Sequence, residues 1–232
     1  MCPELPRIVR VLCAVAGRRW WSLGAAVAVS VAVGCWQGGW PGAAAGWQGL
    51  GMTVFLVTGI QAAGKSTVAQ ALAERFERSV HVRGDVFRRM VVNGRAEMGA
   101  ASPPEEAVRQ LRLRHALTAS VADRYADAGF TVIVQDIVLG EHLAGMVAAI
   151  RTRPLHVVVL APRADVVRRR DAARQAAGGK LAYKPGGVGV AELDAHLRQQ
   201  TPRIGLWLDT SEQTVNETVE EIIARAATEA TV

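Results

Sequence analysis

The chain has 232 residues, with 27 Lys and Arg against 21 Asp and Glu, and half of its residues are apolar. That apolar fraction can bury a sizeable core, which excludes a mainly disordered chain. Three cysteines are too few for a disulfide-built scaffold, and a net charge of +6 is only a mild basic bias.

These totals are not spread evenly. All three cysteines (Cys2, Cys13, Cys35) and five of the six tryptophans lie before residue 52. The charges there are Arg7, Arg10, Arg18 and Arg19 against Glu4, and no charged residue occurs between Arg19 and Lys65. Residues 52–232 are therefore a cysteine-free unit with 23 basic and 20 acidic residues, suited in size and thiol usage to a single cytoplasmic domain. The apolar run over residues 20–36 follows arginines as a weak signal or anchor does, but it is marginal for a membrane span. Met52 stands directly before the first expected strand, so residues 1–51 are expected to be a mis-assigned start or a dispensable leader. No membrane partner is expected unless residues 20–36 are a real anchor.

From residue 53 onward, short apolar runs alternate with longer amphipathic stretches, the signature of βαβ units around a parallel sheet. Strands are expected over 53–58, 80–82, 131–135, 155–160 and 205–208. Helices are expected over 66–78, 86–92, 104–128, 141–151, 165–177, 191–199 and 215–227. Glu105 and Glu106 suit the first turn of the longest helix. Residues 94–104 and 178–189 read as loops, the second Gly-rich and carrying Lys180, Tyr183 and Lys184.

The motif that sets the class is Gly59-Ile60-Gln61-Ala62-Ala63-Gly64-Lys65-Ser66, followed by Thr67. It fits G-x-x-x-x-G-K-[ST], between an expected strand and an expected helix. Glycines let the backbone turn its N–H groups toward phosphate oxygens at a helix N-terminus. Lys65 can reach the β- and γ-phosphates, and the Ser66 hydroxyl can ligate Mg²⁺. Asp85 follows the second strand, on the sheet edge where open α/β folds bind ligands. It can accept the proton of an acceptor hydroxyl or merely cap the next helix. Arg83 and Arg88 beside it can hold an anionic acceptor. Asp136 ends the third strand, where an acid can hold the metal or cap a turn. Arg170 and Arg174 share one helical face and can neutralise nucleotide phosphates as part of a lid, or form a solvated basic surface. The five histidines show no metal spacing. Near-balanced charge and seven aromatic side chains after residue 52 argue against an extended nucleic-acid groove.

With these residues laid out, 52–232 resembles the P-loop kinases, and most nearly the chloramphenicol phosphotransferase-like group. The resemblance rests on Gly59–Thr67, on Asp85, on the run 132–140 (VIVQDIVLG) and on Arg170-x-x-x-Arg174. It implies a three-layer P-loop NTPase fold, with a parallel sheet between helices and a kinase-like lid, and it makes Asp85 the base that activates the acceptor. The family pattern has paired acids where this chain has Gln135-Asp136, and residues 92–103 depart from it. The expected activity is transfer of the γ-phosphate of ATP, with Mg²⁺, to a hydroxyl of a small molecule. Two alternatives stand beside it. One is a nucleotide-hydrolysing switch, and the other is a polynucleotide 5′-hydroxyl kinase, which Asp85-x-x-Arg88 resembles.

Overall fold

The computed structural model of the chain describes residues 52–98, 103–183 and 187–232. The expectations for residues 1–51, and Lys184 in the Gly-rich loop, lie outside them. Among the described residues, no helix is long and apolar enough to cross a membrane.

Five parallel strands form one sheet: β1 (Val54–Gly59), β2 (Ser79–Arg83), β3 (Thr131–Gln135), β4 (Leu155–Leu160) and β5 (Leu206–Leu208). Their order across the sheet is β2-β3-β1-β4-β5. The three inner strands read VFLVTG, TVIVQ and LHVVVL and are buried throughout. A near-continuous apolar run is what a strand covered on both faces requires. The expected strands are all present, with ends shifted by a residue at most.

The helices are α1 (Lys65–Ala73), α2 (Asp85–Met90), α3 (Glu105–Asp127), α4 (His142–Ala149), α5 (Ala164–Ala176), α6 (Val190–Gln200) and α7 (Val215–Arg225), the last running into a π-helical turn, Ala226–Ala230. The first ends sooner than the expected 78. Ser79 Oγ donates to the Ala73 carbonyl at 2.6 Å, and Phe76 packs its ring against Phe55 of β1 at 5.7 Å. Both contacts turn the chain back toward the sheet before the helical pattern runs out. α7 starts on a complete capping box, formed by Thr214 and Glu217.

Strand order is what assembles the site. Val57 of β1 and Arg83 of β2 both pair in register with Gln135 of β3. The segments leaving β1, β2 and β3 therefore emerge side by side: the Gly59–Ser66 loop, Gly84-Asp85 and Gln135-Asp136. In open α/β sheets, this carboxyl edge is where ligands bind.

Candidate active site

The loop after β1 is shaped by two local constraints. Gly59 has φ +141°, and a Cβ there would overlap the Leu160 carbonyl of β4, so only glycine passes the neighbouring strand. The chain then makes a tight turn, Ala63 N–H donating to Ile60 O at 3.3 Å, before α1 begins. Lys65 at the head of α1 is buried, and its Nζ donates to Ile60 O at 2.6 Å. Its pKa is lowered to about 7, chiefly by burial and then by the positive charges of Arg114 and Arg174, with Asp85 acting the other way. A cavity of about 650 Å³ opens beside it, lined by Ala62–Val68, Arg170, Arg174, Thr210 and Gln213. That volume is in the range of small-ligand sites.

Ser66 Oγ donates to Gln135 Oε1 at 3.2 Å. Asp136, expected beside Ser66 at the metal, is instead turned to Arg114 of α3. Arg114 Nε donates to Asp136 Oδ2 at 2.8 Å and its Nη2 bonds the other oxygen, which also accepts from Ile137 N at 2.7 Å. Asp136 is 1% exposed, so this bidentate pair is shielded from solvent. Gly84 makes the approach possible, because a Cβ at 84 would overlap the Asp136 carboxylate. The segment is also pinned from β1. Thr58 Oγ1 donates to Val138 O at 3.0 Å and accepts from Val138 N at 2.9 Å.

Asp85 is the first residue of α2, and the N-cap position considered for it from sequence is taken by Gly84. Its carboxylate pairs with Arg89 one turn on. It lies close enough to Lys65 and Arg114 for its charge to oppose the lowering of their pKa values by burial. Arg88, expected to grip an acceptor, is engaged by Glu97, with Nη1 at 2.8 and 2.7 Å from its two oxygens. Arg83 at the end of β2 is exposed and shares a shallow depression with Ser66, Thr67 and Gln70. Arg170 reaches the phosphate loop, its Nη1 3.3 Å from Ala63 O and its Nη2 2.7 Å from Thr210 O. Arg174 lines the cavity while paired with Asp171.

The sequence reading thus brought Lys65, Ser66, Asp85 and Arg170 to one edge and missed Arg114, Gln135 and Asp171. Arg114 gave no signal, because its partner Asp136 lies 22 residues on, after another strand.

Magnesium takes oxygen ligands, keeps several waters and arrives with the phosphates it bridges. The Ser66 hydroxyl and the Gln135 side-chain oxygen form such a donor pair at the mouth of the loop. Asp136 has its oxygens committed to Arg114 and Ile137. Among the described residues there is no cluster of three or more acidic, His or Cys side chains that could hold a metal unaided. The donor set suits a metal brought in by nucleotide.

The family described as "AAA domain" matches residues 54–202. A search of curated proteins finds no match. Among solved structures, a tunicamycin resistance protein of Deinococcus radiodurans is similar at TM-score 0.53 and 17% identity, covering 78% of this chain and 98% of that one. The APS kinase of Mycobacterium tuberculosis, in complex with AMPPNP and APS, is similar at TM-score 0.51 and 24% identity, covering 75% and 96%. A gluconokinase of Sinorhizobium meliloti is similar at TM-score 0.50 and 18% identity, covering 76% and 92%. Likeness at this level of identity is likeness of fold.

Proposed function

The chain belongs to the AAA domain family of P-loop proteins, and from that premise we propose that it is an ATP- and Mg²⁺-dependent phosphotransferase acting on a hydroxyl of a small molecule. The observation that carries the reading is the placement of Asp85. It stands on the edge shared with the phosphate loop, within electrostatic reach of Lys65 and Arg114. Transfer to an alcohol needs a proton acceptor at that point, and Asp85 offers a partly exposed carboxylate there. The APS kinase and the gluconokinase, small-molecule kinases by name, support the reading by analogy of fold.

In this mechanism the acceptor hydroxyl oxygen attacks the γ-phosphorus as the bond to the β,γ-bridging oxygen breaks, and the hydroxyl proton passes to Asp85. Lys65 leaves Ile60 O for the β- and γ-phosphate oxygens and offsets the charge that develops on them. Ser66, with Gln135 beside it, would hold the Mg²⁺, which would supply further positive charge to the phosphates. Arg170 and Arg174 face the nucleotide from α5. Arg114, fixed by Asp136, contributes positive charge behind Asp85. Arg83, and Arg88 once it is released from Glu97, are the cations on the acceptor side.

The test is ATP consumption by the full chain, with and without a panel of hydroxylated compounds, the products being identified by mass spectrometry. Stimulation by one compound together with its phosphate ester supports the kinase, and Lys65→Ala should lower that rate by about 10²-fold or more. Slow hydrolysis indifferent to every acceptor supports the switch, and labelling of 5′-hydroxyl oligonucleotides alone supports the polynucleotide kinase.

A further inference from the structure

Carbonyls of the phosphate loop are held by Lys65 of its own motif and by two side chains from outside it. Ile60 O accepts from Lys65 Nζ, Ala63 O from Arg170 Nη1, and Gln61 O from the Tyr183 hydroxyl at 2.8 Å. The third contact spans 122 residues and comes from the Gly-rich segment after α5. Tyr183 is seated there by Asp171, which is 5% exposed. Asp171 accepts from Ala182 N at 3.0 Å and from Tyr183 N at 3.4 Å, and it pairs with Arg174. The phenol is a neutral donor, since burial first, and then the nearby Asp171 and Asp194 carboxylates, push its ionisation upward.

Gln61 O is a particular carbonyl. Ile60 to Ala63 form the tight turn closed by the Ala63 N–H to Ile60 O bond, and Ala62, its third residue, has φ +58°. Gln61 is not among the residues with positive φ. A positive φ at the third position alone defines type II, where glycine is preferred and alanine is strained. Types I and II differ by a flip of the central peptide, here the one joining Gln61 and Ala62. Because the peptide is planar and trans, its C=O and N–H point oppositely. A hydrogen bond on Gln61 O therefore decides which way the Ala62 N–H faces.

We propose that Tyr183 is a positioning residue for nucleotide. Its hydroxyl holds the Gln61–Ala62 peptide in the type II orientation, so that the Ala62 N–H is directed away from Tyr183 and toward bound phosphate. The strain at Ala62 is maintained by this contact, and the seating of residues 177–183 is thereby coupled to the anion-receiving shape of the loop. The inference rests on the nucleotide-binding reading of that loop, and it concerns binding rather than the identity of the acceptor.

The experiment is calorimetric titration of Mg·ATP into the full chain for the wild type, Tyr183→Phe, Ala62→Gly and the double variant, with thermal unfolding followed in parallel. Tyr183→Phe removes one hydroxyl and should weaken Mg·ATP by about three- to tenfold, the usual effect of losing one neutral hydrogen bond. Glycine favours the type II turn without help, so Ala62→Gly in the Tyr183→Phe background should restore affinity to within about twofold of the wild type. A tyrosine that only packs the segment after α5 would not be rescued by a glycine within the phosphate loop. Unchanged affinity in Tyr183→Phe overturns the proposal, as does a loss that Ala62→Gly leaves uncorrected. A wild type that binds no Mg·ATP overturns the nucleotide reading and this proposal together, whereas normal wild-type binding with an indifferent Tyr183→Phe overturns this one alone.

Discussion

Lys65 illustrates how one residue carries both fold and chemistry. Without phosphate its ammonium has one strong hydrogen bond, to Ile60 O, and two positive neighbours, Arg114 and Arg174. Burial and that repulsion lower its pKa to about 7, so near neutral pH the free protein holds this lysine half protonated. Phosphate oxygens favour the charged form and raise the pKa on binding. Binding then takes up a proton at any pH above the free value, and affinity for Mg·ATP should fall as pH rises past about 7, by up to roughly tenfold per unit. Titration in buffers of different ionisation enthalpy at pH 8 should register that uptake, and Lys65→Arg, charged throughout, should flatten the dependence. An affinity that stays level between pH 6.5 and 9 would refute the account of Lys65. The motif made Lys65 evident from sequence because its spacing is local. Arg114 was not evident in the same way, since its partner Asp136 is 22 residues away on another element.

At the scale of elements, α3 is fixed by two acid–base contacts, one at the site and one near its C-terminal end. Arg114 ties it to the segment after β3, and Asp123 ties it to the turn before β4. The Asp123 carboxylate is 4% exposed. It accepts from Arg151 N, Arg151 Nε, Thr152 N and the Thr152 hydroxyl at 2.8–3.2 Å. Asp123→Ala strips those donors of their acceptor and leaves backbone N–H groups unpaired. A loss of about 2–4 kcal/mol of stability is expected, with affinity for nucleotide retained. Urea unfolding measures it, and a loss below about 0.5 kcal/mol would show that α3 does not depend on this joint. The helices themselves were legible from amphipathic period and end signals. Their rotation against the sheet was not, because period states that one stripe is buried without stating what each buried polar group meets. Asp136 shows the consequence: as a lone acid at a strand end it suited a metal, and the rotation of α3 instead placed a guanidinium on it.

For the molecule as a whole, strand order is the decisive fact. With β1 between β3 and β4, and β2 beyond β3, three loop segments distant in sequence meet at one edge. The alternation of strands and helices was enough to expect a parallel sheet, but alternation does not specify order, and β3 beside β1 was an assumption that the register bears out. The cavity then lies between the phosphate loop, α5 and the segment leading into α7, and Asp85 is not among the residues that line it, so in the proposed reaction nucleotide and acceptor would approach from different sides. That division gives Asp85 a role separable from nucleotide binding. The most direct measurement is therefore on Asp85→Asn, which keeps shape and removes the proton acceptor. Mg·ATP affinity should stay within about threefold of the wild type, while transfer to an acceptor that the wild type phosphorylates should fall by about 10²-fold or more. Transfer at the wild-type rate by Asp85→Asn, with nucleotide still bound, would contradict the account at its centre.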